Sequence, residues 1–257
     1  MPAPSRRLEL FAPEGFPEFQ PGDDLAQSIV KTFDHTGVPL QNGDILVIAQ
    51  KIVSKSEGRV RKLSDVSPSD AAVRLAAESE KDPRLIELIL QESTEIVRMR
   101  PGLIIARHRN GCVVANAAID LSNSGADETA VLLPVDADES AKNIATGIKL
   151  ATENGANVAV IVNDSMGRAW RNGTTGTAIG CYGIASLYDR RGQRDRLGNV
   201  LQSSEIALAD EIAAAGSLLM GQGDESLPVV VLRGLDWADR AGKSSDLVRA
   251  PDQDLFT

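Results

Sequence analysis

The run Val158-Ala159-Val160-Ile161-Val162 is apolar without interruption and then turns polar at once, as Asn163-Asp164-Ser165. A short stretch with no polar face is a strand buried on both sides. The chain must therefore supply packing layers above and below it. Ile45-Leu46-Val47-Ile48-Ala49 is a second run of this kind and reads as a central strand. Val113-Val114-Ala115-Asn116-Ala117-Ala118-Ile119-Asp120-Leu121-Ser122-Asn123 reads as a third strand that delivers a carboxylate and a neutral oxygen ligand at its end. With 257 residues, 42% of them hydrophobic, the chain can bury such strands in one large domain or two smaller ones.

Helical patterns lie between the strands. Asp23 and Asp24 can cap a helix whose apolar face includes Leu25, Ile29 and Phe33. Ser67 to Val97 is helical in pattern, with Pro83 breaking it or opening a second helix. Asp136 or Asp138 caps a helix running to about Glu153. Ser203 to Leu219 reads as an amphipathic helix with Ile206, Leu208, Ala209, Ile212, Leu218 and Leu219 as packing residues. Gln50 to Lys55 is expected to continue the strand before it, and the strand at Val158 to join a β-α-β crossover if the strand of Asp120 lies nearby. Leu103 to Arg107 and Cys112 to Ala117 form a hairpin around Arg109-Asn110-Gly111, since Asn-Gly is a strong tight-turn signal. The passage from Gly167 to Gly183 is too glycine-rich for an ordinary helix and reads as a ligand loop or a tightly packed core passage. Pro228 to Leu232 is a final strand.

Net charge is -9, which argues against a bulk attraction to nucleic acid or to an anionic membrane. An anionic ligand needs a local basic pocket, for which Arg168, Arg171, Arg190, Arg191 and Arg194 are available. No stretch approaches the roughly 18 apolar residues of a membrane span, and Met1 to Arg7 lacks the apolar segment of a secretory signal. The expected location is the cytoplasm. Cys112 and Cys181 sit in apolar surroundings and read as free thiols. Two histidines and two scattered cysteines show no zinc spacing. The phosphate loops and nucleophile elbow of the common nucleotide and hydrolase folds are absent from the sequence.

Asp120 with Asn123, and Asp164 with Ser165, present carboxylate, amide and hydroxyl oxygens, all hard ligands suited to magnesium or manganese. The same residue types also begin helices after strands. Arg168 and Arg171 offer guanidinium forks to phosphate or carboxylate. A solvated pair is the alternative, against which Trp170 argues. Lys51 and Lys55 fall on one face and can meet nucleotide phosphates, or simply end a strand in solvent. Asp210-Glu211 reads as a solvated stripe on its helix. Gly221 or Gly223 ends that helix, whereas Gln222, Asp224 and Glu225 are free to reach a metal or a substrate amine.

In order along the chain, Ala49 to Gly58, Asn116 to Asn123, Leu132-Leu133-Pro134, Asp164 to Gly173, Ala178-Ile179-Gly180, Asp189 to Gly192, Ala209-Asp210-Glu211 and Met220 to Gly223 resemble the motifs of the coenzyme F420-0:gamma-glutamyl ligase family. The resemblance spans about residues 8 to 235. It implies an α+β fold of mixed sheets with packed helices, neither a P-loop nor a Rossmann fold. Residues 1–238 would form the ligase domain, as two interleaved subdomains or one, and 239–257 a polar tail. The implied reaction is GTP-dependent addition of L-glutamate to coenzyme F420-0, then of further gamma-linked glutamates, by a homodimer using magnesium or manganese with potassium in support. Carried onto this chain, the metal ligands are Asp120, Asp164, Ser165 and Gln222. The GTP contacts are Phe16, Pro17, Glu18 and Phe19, then Gln50, Lys51, Lys55 and Asn123, then Met220, Gly221, Gln222, Gly223, Asp224, Glu225, Ser226 and Leu227. Arg168 or Arg171 positions a substrate carboxylate or phosphate, and Arg190, Arg191 and Arg194, in a mixed charge run from Asp189 to Asp195 that reads first as a solvated loop, are candidates to hold a growing glutamate tail. Glu18 stands where the family has an apolar residue, and Ala118 where it more often has glycine. An amide ligase with another acceptor, or a phosphate-ligand binding protein without turnover, are the alternative functions.

Overall fold

A computed structural model describes residues 7–121, 128–235 and 241–254. The first elements in chain order are β1 (Glu9–Phe11), α1 (Leu25–His35), β2 (Ile45–Ala49), α2 (Gln50–Ser56) and β3 (Val60–Lys62). Next come α3 (Asp70–Ser79), α4 (Pro83–Glu92), β4 (Ser93–Arg100), β5 (Leu103–His108), β6 (Val113–Ala115) and β7 (Thr129–Val131). The last are α5 (Ala137–Ala151), β8 (Ala159–Arg168), β9 (Arg171–Tyr182), β10 (Tyr188–Asp189), β11 (Glu205–Ile206), α6 (Leu208–Met220) and β12 (Val229–Arg233).

The main sheet has the order β1-β12-β2-β8-β9. Only β2 and β8 run parallel; the other neighbours are antiparallel. A sheet with one parallel pair is mixed α+β, not a doubly wound Rossmann sheet. The two apolar runs are its centre: Ile45 to Ile48 and Ala159 to Val162 have no exposed surface. Leu46, Ile48, Val160 and Val162 face a core shared with α1 and α5, while Ile45, Val47, Ala159 and Ile161 face a core shared with α6. This is the two-sided cover that an uninterrupted apolar strand requires. Asp24 caps α1 by accepting the Gln27 amide at 2.9 Å, and Asp136 caps α5 by accepting the Glu139 amide at 3.0 Å.

Glycine works here as a packing residue. The passage after Gly167 is mostly the long strand β9, not a ligand loop. A Cβ at Gly180 would lie 2.3 Å from the Ala137 carbonyl oxygen, and one at Gly176 would lie 2.2 Å from Ser217 Oγ. The missing side chains let α5 and α6 sit directly on β9.

A second region, α3, α4 and the sheet β4-β5-β6, has its own core, which includes Ile86, Ile89, Ile104 and Ala106. The helical pattern ends at Glu92, because Ser93 to Arg100 pairs with β5 as a strand. The Asn-Gly hairpin forms as expected, with the Gly111 amide donating to the His108 carbonyl at 2.8 Å. Arg59 ties this region to the rest. Its Nε donates to the Leu133 carbonyl at 2.8 Å and its Nη2 to Glu92 Oε2 at 2.7 Å. Burial by itself would raise the Glu92 carboxyl, but the nearby His108 ring and the charges of Arg59 and Arg109 prevail and hold it at about 2.

Several expectations shift. Gln50 to Lys55 is helical, although Ile52 and Val53 favour strand. Burial overrides that preference, and Ser54 Oγ donates to Gln50 Oε1 at 2.8 Å inside the helix. The parallel partner of β8 is β2 rather than the segment of Asp120, which bridges to Val131. Helix α6 starts at Leu208, five residues later than its pattern, because Glu205–Ile206 pairs with Tyr188–Asp189. Leu218 on that helix is 80% exposed and is not a packing residue. Residues 241–254 also touch the body: Ser244 donates to Asp138 at 3.1 Å and Leu247 packs against the α6 core. Among the described residues, no helix is long and apolar enough to cross a membrane.

Candidate active site

The parallel pair decides where the site lies. Ala49 is level with Asn163. Beyond that point β2 hands over to α2, while β8 runs on as Asp164-Ser165 without it. A cleft of about 700 Å³ opens at this carboxyl end of the two strands, where open sheets with crossover connections commonly bind ligands. The loop of Phe16 to Phe19 and the loop after α6 form other walls.

Lys51 and Lys55 both line the cleft. They share a face because they are one helical turn apart on α2, not because they alternate along a strand. Lys51 Nζ lies 2.7 Å from Asp120 Oδ2, and Lys55 Nζ lies 3.0 Å from Glu18 Oε2. Glu18 thus sits out from the apolar loop with its side chain 85% exposed, while Phe19 is buried.

Asp120 arrives by an unusual turn. Asn116, Ala117 and Ala118 all have left-handed φ, at 52°, 53° and 57°. The strand therefore stops at Ala115, earlier than its apolar pattern. Mutual backbone bonds with Val131, at 3.1 and 2.9 Å, then fix Asp120. Its expected partner Asn123 lies outside the described residues.

Asp164 and Ser165 stand inside β8, so neither caps a helix. Burial pushes the Asp164 carboxyl up to about 6; the Ser165 amide opposes this, the Asp120 charge adds to it and Lys51 offsets part of it. Ser165 Oγ accepts a hydrogen bond from Gln222 Nε2 at 2.7 Å. Glu225 does not line the cleft; its carboxylate accepts the Gly223 amide at 2.7 Å and braces the Gln222 loop.

Asn163 is the residue that the sequence reading missed. It is buried, lines the cleft, and donates from Nδ2 to Ser217 Oγ at 3.1 Å. This bond ties the middle of β8 to the last turn of α6, from which the Gln222 loop departs. Its signal was an amide closing an otherwise apolar strand.

Two carboxylates, a hydroxyl and an amide oxygen from distant segments thus line one cleft, a donor set that fits magnesium or manganese. Among the described residues, no three His, Cys, Asp or Glu side chains gather at one point. The neutral ligands therefore matter to any cation here, and Gln222 must turn its amide to present Oε1.

Residues 15–234 match the profile of the family described as F420-0:Gamma-glutamyl ligase. The chain belongs to that family. It is 42% identical to the coenzyme F420:L-glutamate ligase of Methanothermobacter thermautotrophicus, across 97% of this chain and 98% of that one. It is 41% identical to the ligase of the same name from Haloarcula marismortui, across 96% and 95%, and 38% identical to that from Archaeoglobus fulgidus, across 97% and 96%.

In this F420-0:gamma-glutamyl ligase family member, the arginines lie away from the cleft. Arg168 and Arg171 sit exposed at the tip of the β8–β9 hairpin. Trp170 between them is 85% exposed, contrary to the expectation that it would be sheltered. Arg190 and Arg194 line, with Arg196, a separate groove on the β10–β11 arm. That arm leaves the body beyond Tyr182, which pairs with Val160 at the end of β8 opposite the cleft. Asp210 is half-buried, not a solvated stripe; it accepts the Ala178 amide at 2.9 Å and helps fix β9 under α6.

The left-handed turn before Asp120 yields a stability prediction. Ala118→Gly is expected to stabilise the protein by about 0.5 kcal/mol, because glycine removes the penalty of positive φ and forfeits only part of that gain in the unfolded chain. Ala118→Val should destabilise by more than about 1 kcal/mol, since a β-branched residue is strained there. Urea denaturation of both variants checks the order. A valine variant as stable as the parent would show that the turn is not left-handed.

Proposed function

We propose that the protein is a GTP-dependent ligase that joins L-glutamate to coenzyme F420-0 and then adds further glutamates by gamma linkage. The observation that carries this reading is the convergence of Asp120, Asp164, Ser165 and Gln222 with Lys51 and Lys55 on one cleft, in a chain whose relatives bear the name coenzyme F420:L-glutamate ligase.

Forming an amide from a carboxylate and an amine requires an activated carboxylate. In the proposed sequence an acceptor carboxylate oxygen attacks the terminal phosphorus of GTP, and GDP leaves. The resulting acyl phosphate is then attacked at its carbonyl carbon by the glutamate amine, which loses a proton as inorganic phosphate departs. Magnesium or manganese, when bound, would shield phosphate charge during the transfer. Asp120, Asp164, Ser165 and Gln222 are the residues to hold it. Lys51 supplies a cation to Asp120 at 2.7 Å, and its ammonium is also a proposed contact for phosphate oxygens. Gln50, Lys55 and the loops 16–19 and 220–227 are the proposed GTP contacts. Potassium as a supporting ion and a homodimer as the working unit belong to the same proposal; sedimentation at assay concentration tests the dimer, which a purely monomeric active species would refute.

The decisive assay combines the protein with F420-0, glutamate, GTP and magnesium and follows product mass together with GDP. Mass increments of one and then more glutamates, matched by GDP, are expected. Neither product nor GDP would overturn the assignment. GDP release only with another acceptor would make this a related amide ligase, and nucleotide binding without turnover a binding protein.

A further inference from the structure

The tip of the β8–β9 hairpin has two features that its own fold does not explain. Arg168 and Arg171 are direct cross-strand partners, and no carboxylate pairs with either among the described residues. Like charges opposite one another destabilise a hairpin unless an anion joins them. Between them Trp170 holds φ at 63°, a conformation bulky residues rarely take, with the ring 85% exposed. An exposed indole between unpaired guanidinium groups suits a flat heteroaromatic ligand that also carries negative charge.

The hairpin links this tip to the chemistry. Side chains alternate along a strand, so Asp164 and Met166 share one face of β8, and the pairing with β9 shifts register between Gly167 and Arg168. Asp164 lines the cleft at the base of the hairpin. Arg168 is about 13 Å further along, at a rise of about 3.3 Å per residue. An elongated acceptor can therefore place its reacting carboxylate near Asp164 while its ring lies at the tip.

We infer that Trp170, with Arg168 and Arg171, forms the acceptor subsite, stacking a flat heteroaromatic ring of the acceptor and pairing with negative charge on the part that leads to the reacting carboxylate. The inference rests on the proposed ligase reading and adds the residues that select the acceptor. None of the three touches the reacting atoms, so each is a specificity residue.

The test measures KM separately for each substrate. Trp170→Ala is expected to raise KM for F420-0 about ten-fold, leaving KM for GTP and calorimetric manganese affinity unchanged. Trp170→Phe keeps a stacking face and should stay within about two-fold of the parent. The double variant Arg168→Ala/Arg171→Ala should also raise KM for F420-0, by a factor that shrinks as added salt screens the guanidinium contacts of the parent. Trp237 is the other tryptophan, so in a Trp237→Phe background F420-0 should quench the emission of Trp170. An unchanged acceptor KM in Trp170→Ala, beside an active parent, overturns the inference and spares the ligase reading. Equal changes in all KM values, with a smaller sedimenting species, overturn it in favour of a contact between copies. A parent that never turns over F420-0 defeats the ligase reading instead, and the quenching then decides the subsite: saturable quenching upholds it and none removes it.

Discussion

Asp164→Ala and Asp120→Ala are each expected to lower turnover by about a thousand-fold, since lost charge neutralisation at the transferring phosphoryl group costs several kcal/mol. Both carboxylates line the cleft, and neither belongs to an apolar core, so the variants should remain folded. Manganese titration by calorimetry in the presence of GTP reads the cause directly. Unchanged metal affinity in both would leave the carboxylates without the role assigned to them. Asp164→Asn separates function from stability. The Asp164 carboxyl is raised from its ordinary 3.8 to about 6 in the folded protein. The native state therefore binds the proton more tightly than the unfolded chain, and stability falls as pH rises from about 4 to 6. The asparagine variant escapes this penalty. Without metal it should be more stable than the parent by about 3 kcal/mol well above pH 6, with the gap closing toward pH 4. Thermal melts across that window check the sign. An asparagine variant less stable than the parent at pH 7.5 would mean that the carboxylate is stabilised, not strained, in its place.

Arg59→Met should cost about 3 kcal/mol of stability, because it leaves Glu92 buried without its main partner. Glu92 and Arg59 have side chains only 8% and 11% exposed and meet at 2.7 Å. The more distant Arg109, at 3.7 Å, limits the loss to the low end for a broken buried pair. For a chain of this size the melting temperature should fall by about 6 to 10 °C. Replacing Arg59 and Glu92 together by methionine should recover much of the loss, since no stranded charge remains. Glu92 is held at about 2 against an ordinary 4.5. Its contribution is therefore complete above pH 4.5 and is lost as pH falls from there toward 2. A single variant no less stable than the double would show that the pair does not join the two cores.

Much of the scaffold was legible in the residues themselves. Ile45 to Ala49 and Val158 to Val162 have no polar face, and only a doubly covered strand accommodates that. The caps at Asp24 and Asp136 and the Asn110-Gly111 turn are local chemistry, and they form where the residue types require. The failures share one cause: a neighbour distant in sequence decides the outcome. Gln50 to Ser56 became helix because its buried side is satisfied within a helix. The glycines of β9 read as loop signals, yet they are the spaces into which α5 and α6 fit. Trp170 is apolar by composition and exposed because it sits in the turn at the tip of the β8–β9 hairpin.

The site divides in the same way. Residue types alone identified Asp120, Asp164, Ser165, Gln222, Lys51 and Lys55 as groups able to bind cation and phosphate, because hard oxygens and ammonium groups carry that chemistry wherever they are placed. Which of them meet was left to the fold. The parallel register of β2 and β8 brings α2 to Asp164, the turn at Asn116 to Ala118 delivers Asp120 to Lys51, and Gly176 lets α6 approach closely enough for Gln222 to reach Ser165. The arginines were set apart for the same reason. A guanidinium group's affinity for anions is a property of the side chain, but its distance from the cleft follows from hairpin length and strand order, which only tertiary packing determines.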